Sequence, residues 1–132
     1  MTQHVRGKFE VKLTPQTLAE PGAATLGRLS IAKRYFGDLD AEAQGEMLTA
    51  AGTVKGSAVY VAVERVTGTL SGRRGSFALH HTGIMDRGEA RLTITVVPDS
   101  GSDDLTGLTG SMSITIADQE HYYDFEYALP VS

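Results

Sequence analysis

Glu64 and His81 are the two side chains whose type and setting most suggest chemistry. Glu64 lies in the run Tyr60-Val-Ala-Val-Glu-Arg-Val66, where an acid is costly to bury without a partner. A strand here has two registers. With Val59, Val61 and Val63 facing the interior, Glu64 is a charge on the outer wall. With Tyr60, Ala62 and Glu64 facing inward, it is a cavity carboxylate whose pKa burial would raise. Aliphatic bulk favours the first register. The second leaves three valines outside, where they would suit an oligomer interface. His80 and His81 are neighbours, so they point to opposite faces of a strand and cannot share a metal. Phe77 and Leu79 alternate with Ala78 and His80, which puts His81 on the apolar face, either as a hydrogen-bonded core residue or as a proton shuttle.

Other polar groups could serve a ligand in the same interior. Lys33 falls in register with Leu29, Ile31 and Tyr35, so it either reaches inward as a counter-ion for Glu64 or snorkels to water at a barrel mouth, the commoner fate. Tyr60, Tyr123 and Tyr127 are candidate wall residues with hydroxyls that could orient a carbonyl, and Met47 and Phe77 are candidate apolar wall. For each of these, plain core packing is the competing role. His121 opens the last strand and is expected at a solvent-exposed rim, and Arg73-Arg74 is expected at a solvated turn.

Several chemistries are excluded. Without cysteine there is no disulfide framework, thiolate nucleophile or Cys-ligated metal. There is no Gly-X-Ser-X-Gly elbow, phosphate-binding glycine loop with Lys, His-Glu-X-X-His motif, dinucleotide fingerprint or His-X-His pair. No cofactor and no metal are therefore expected. The 12 Lys+Arg against 16 Asp+Glu give a net charge of −4, which argues against nucleic acid. No apolar run approaches the roughly 18 residues that span a bilayer, and the polar, alternating start is unlike a secretory signal. A cytoplasmic protein without a membrane partner is the expectation.

The elements that would position these residues read as strands. The 132 residues suit a single domain, 1–132, with 29 β-branched residues and 15 glycines that punctuate the chain. Period-two alternation marks strands at Val5 to Leu13, Leu29 to Phe36, Asp40 to Ala50, Gly56 to Leu70, Ser76 to Thr82, Glu89 to Val97, Leu105 to Ala117 and His121 to Leu129. Thr14-Pro15 is expected to end the first, Gln16 to Thr25 to form a loop with a short helical turn at Thr17 to Glu20, and Thr67-Gly68 to Gly75 to form a turn. Eight strands joined mostly by short turns predict an all-β, eight-stranded antiparallel up-and-down barrel, with a two-sheet sandwich as the alternative.

The strings RLSIAKRYFGDL, GEML, GSAVYVAVERVTGTLSGRRGSFALHHTG, LTITVVPDSG, LTGLTGSMSI and HYYDFEYALP, in this order, resemble the bacterial domain-of-unknown-function family 3224 nearly end to end. The resemblance implies an allene oxide cyclase-like barrel with a central cavity. It brings no agreed reaction and so no catalytic residues. The expected function is a cofactor-independent barrel that binds an apolar or amphipathic metabolite, with isomerisation or cyclisation as its chemistry. Glu64 or His81 would move the proton, while Tyr60 or Tyr123 would donate to developing oxyanion charge. A non-catalytic carrier, or a filled barrel acting as an oligomeric interaction module, are the alternatives. A homo-oligomer is expected.

Overall fold

Alternating apolar and polar residues carry the chain through eight strands, each turning one face to a common interior. In the computed structural model, which describes residues 2–16 and 26–130, these are β1 Gln3–Gln16, β2 Leu26–Tyr35, β3 Leu39–Ala51, β4 Ala58–Leu70, β5 Arg73–Asp86, β6 Glu89–Val96, β7 Thr109–Ala117 and β8 Glu120–Ala128. Every neighbouring pair is antiparallel and β8 closes onto β1, so the sheet is a closed barrel in chain order and the sandwich alternative falls away.

Local chemistry moves several boundaries. β1 continues through Pro15 to Gln16 because it pairs with β8 only from Gln3 to Phe9, leaving an open edge beyond, where a residue without an N–H is tolerated. The β4–β5 turn is only Ser71-Gly72, both with positive φ as tight hairpins require, so Arg73 and Arg74 begin β5 rather than lie in a turn. β7 starts at Thr109. The residues before it form a short 3₁₀ turn, Asp103–Leu105, whose segment buries Leu105 and Leu108. That segment also bonds along β5, with Ser102 N–H donating to Ser76 O and Ser100 Oγ accepting from Ala78 N–H. The loop and helical turn expected at residues 17–25 lie outside the described residues.

The core fills one end of the barrel. Val5, Tyr35, Leu39, Val66, Leu70, Phe77, Leu79, Phe125 and Tyr127 are all buried there, below the β2–β3, β4–β5 and β6–β7 connections. Phe77 stacks on Phe125 at 5.7 Å, and Phe125 on Tyr127 at 5.4 Å. At the opposite end the inner face stops being covered. Leu13, Met85, Leu92 and Ile116 continue the inward alternation of their strands, yet are 44, 41, 42 and 67% exposed. Among the described residues the barrel is therefore packed at its base and leaves an apolar inner face uncovered at the other end. Among the described residues no helix is long and apolar enough to cross a membrane.

Candidate functional site

Between the packed base and the open end sits a cluster of four polar side chains from three strands. β4 turns Ala62, Glu64 and Val66 inward, and Val59, Val61 and Val63 outward, where all three are exposed. This is the register that aliphatic bulk disfavoured. What decides it is the partner set waiting inside. Glu64 Oε2 accepts from Lys33 Nζ at 2.8 Å and from His81 Nε2 at 3.0 Å, while Oε1 accepts from the Tyr35 hydroxyl. A carboxylate with three donors can be buried where an unpaired one cannot.

Lys33 does not snorkel. Its side chain is nearly covered, its ammonium lies 5.2 Å from the Phe9 ring centroid, and its charge is matched by Glu64. Glu64 is 2% exposed and His81 4%. Burial pushes the Glu64 carboxyl upward, but the His81 hydrogen bond and the Lys33 charge outweigh it and lower the pKa to about 2. The inward register was expected to raise this pKa, and His81 and Lys33 reverse the sign. Tyr35 moves the other way. Burial first, then the neighbouring carboxylate, holds its phenol well above 10, so it stays a neutral donor.

An ionised carboxylate only accepts, so the hydrogen between the two side chains sits on His81 Nε2. Among the described residues no side chain or backbone group is hydrogen-bonded to His81 Nδ1. The cluster thus holds an imidazole whose Nε2 is fixed by a carboxylate that is itself paired with Lys33.

Two glycines make room for the arrangement. A Cβ at Gly45 would stand 2.0 Å from Val63 O and 2.9 Å from Glu64 Cβ, so β3 passes close beside the acid only as glycine. A Cβ at Gly83 would stand 2.0 Å from the Tyr60 ring, which lies flat on the bare backbone. Tyr60 is half-buried, and its phenol is raised above 10, chiefly by burial and then by the Glu64 charge. Its hydroxyl has no partner among the described residues. Tyr60, Gly83, Met85, Leu92 and Thr49 border a cleft of about 330 Å³ at the open end.

The remaining candidates separate by position. Met47 is half-buried on the inner face of β3, opposite Ala62. Phe77, Tyr123 and Tyr127 belong to the packed base. Tyr127 donates to Ser71 Oγ, and Tyr123 donates to Phe36 O while meeting the Tyr35 ring edge-on at 5.6 Å. Tyr123 therefore acts on the cluster through Tyr35. Two residues were missed as cluster or wall members. Tyr35 was read only as a face-former, and its alignment with Lys33 was the available signal. His121 faces inward rather than toward a rim, half-buried and 5.2 Å from the Phe9 ring. Among the described residues no group of three or more His, Asp or Glu could hold a metal ion.

Comparison with known proteins places this architecture. A family model described as "Protein of unknown function (DUF3224)" matches residues 5–127. A crystal structure of a protein with unknown function from the DUF3224 family of Shewanella oneidensis MR-1 is 48% identical, with a TM-score of 0.93 and each chain covered over 100%. No curated protein matches.

Proposed function

The chain belongs to the DUF3224 family, and from its site we propose that the barrel binds an apolar or amphipathic metabolite and isomerises it by proton transfer. The observation that carries this is the buried Lys33–Glu64–His81–Tyr35 cluster set beneath an uncovered apolar inner face. Buried charge is expensive, and a hydrophobic replacement of similar shape is often as stable, so a buried ionic cluster is a candidate for chemistry. In this reading His81 Nδ1 removes a proton from carbon next to a carbonyl and returns it to another carbon. Tyr60, its hydroxyl unengaged, donates to the oxygen as charge develops there. Glu64 is the positioning residue. With a pKa of about 2 it is too weak a base to take the proton, but it fixes the tautomer and stabilises the imidazolium. The sequence left Glu64 and His81 as alternative bases, and the charge state favours His81.

Incubation of the protein with a cell metabolite extract, followed by mass analysis of bound and converted species, tests this. His81→Gln keeps a donor for Glu64 but removes the base, and is expected to lower turnover about 10²- to 10⁴-fold while the ligand is still retained. Full turnover by His81→Gln sinks the mechanism. A ligand retained unchanged by the unaltered protein establishes the carrier instead.

A second reading concerns assembly. Leu48, Val59, Val61, Val63 and Ile84 form one exposed apolar patch across the outer face of β3, β4 and β5, which supports a homo-oligomer. Sedimentation should show a multimer that Val61→Glu dissociates. A monomer at all concentrations removes this reading.

A further inference from the structure

We propose that two copies of the chain join back to back along β4, by an isologous contact whose two-fold axis runs parallel to that strand, and that Glu46 of each copy accepts a hydrogen bond from the partner's His80. The inference rests on the assembly reading above and adds the partner, the symmetry and the polar contact that fixes them. It starts from the register of β4. Turning Glu64 inward leaves Val59, Val61 and Val63 on the outer wall, where with Leu48 and Ile84 they are 41 to 56% exposed. These five side chains offer roughly 400 Å² of apolar surface, close to the apolar share of the roughly 800 Å² that each partner hides in a standard interface. A second copy carries the matching face.

The polar groups beside the patch decide its orientation. Pairing sets the outward side chains in rows across the strands, and one row reads Glu46, Val63, His80 from β3 through β4 to β5. The next two read Leu48, Val61, Thr82 and Ala50, Val59, Ile84. A two-fold axis parallel to β4 lays each valine on its own copy and exchanges the flanks, so β3 of one copy faces β5 of the other. Glu46 then meets the partner's His80 at two symmetric places, while Leu48 meets the partner's Thr82 and Ala50 the partner's Ile84. Both polar groups have bonding capacity to spare. Arg28 donates twice to Oε1 of Glu46 and leaves Oε2 without a partner among the described residues, and His80 has only a long 3.4 Å contact from Nε2 to Thr82 Oγ1. An imidazole keeps an N–H to donate in either charge state. Arg65, the next outward residue on β4, leans aside to Ser76 Oγ rather than across the axis. An axis across the strands through Val61 would instead set Glu46 on Ala50 and His80 on Ile84, leaving both polar groups against carbon.

Sedimentation equilibrium of the whole chain is the test, and the unaltered protein is expected to be a dimer. Glu46→Lys removes the acceptor and His80→Glu sets two carboxylates together, each twice by symmetry, so each should weaken the dimer about 10- to 100-fold. Both positions are exposed, and thermal unfolding checks that each variant is folded. Joining the two substitutions in one chain restores opposite charges across the axis and should bring the dissociation constant back to within about threefold of the original. A dimer that Val61→Glu dissociates but the charge variants leave intact, or a double variant no tighter than the singles, overturns the two-fold along β4 and leaves the assembly reading standing. A trimer does the same, because a ring of three uses a heterologous contact. A monomer at all concentrations removes both and gives the patch to a different partner.

Discussion

Glu64→Gln is expected to cost about 3–5 kcal/mol of stability, read as a fall in the urea midpoint at neutral pH. The loss is not chiefly that of a hydrogen bond, since an amide can still face Tyr35 and His81. It comes from Lys33, whose ammonium is buried against Phe9 and Tyr35 and would be left without a counter-charge. Lys33→Met should cost a similar amount, because Glu64 would then keep only His81 and Tyr35 as donors. The double variant is where the argument is decided. With both charges gone and the hydrogen-bonded frame kept, most of the loss should return, giving a coupling of about 2 kcal/mol or more between the two positions. Additive losses would mean that the two side chains do not form an ion pair in solution. A double variant that is stable but inactive would show that the charges are kept for chemistry.

The barrel was legible in the sequence because its signals are local. Period-two alternation in Phe9-Val11-Leu13, Leu92-Ile94-Val96 and Tyr123-Phe125-Tyr127 names an inner face without knowledge of any neighbour. Glu64 was illegible for the complementary reason. Its own strand offers three valines on one face and a tyrosine, an alanine and an acid on the other, and a local count of apolar volume chooses the valines. Lys33, Tyr35 and His81 reverse that choice, but they lie on β2 and β5, at separations of 31, 29 and 17 residues. Each was visible as an anomaly on its own strand, and only the closed sheet says that the anomalies meet. His121 failed similarly. A strand's first residue reads as a rim, whereas β8 starts well inside a wall that β1 continues past.

Acid should dismantle the cluster in a defined interval. The Glu64 carboxyl titrates at about 2 in the folded protein and near its ordinary 4.5 in the unfolded chain. Between these values the unfolded chain binds more protons, so stability rises with pH across the interval. The contribution is complete above about pH 4.5 and is lost as the pH falls toward 2, amounting to about 3 kcal/mol. Asp124 and Glu120 are also lowered, by Arg6 and Lys8 respectively, but Glu120 is exposed and Asp124 partly so, and solvent screens both. The comparison that isolates Glu64 is therefore the unaltered protein against Glu64→Gln, by urea unfolding from pH 6 to pH 2. The two stability curves should lie far apart at pH 6 and converge toward pH 2, because protonation makes the natural side chain as neutral as its replacement. Curves that stay parallel would place the acid sensitivity elsewhere and deny Glu64 its depressed pKa.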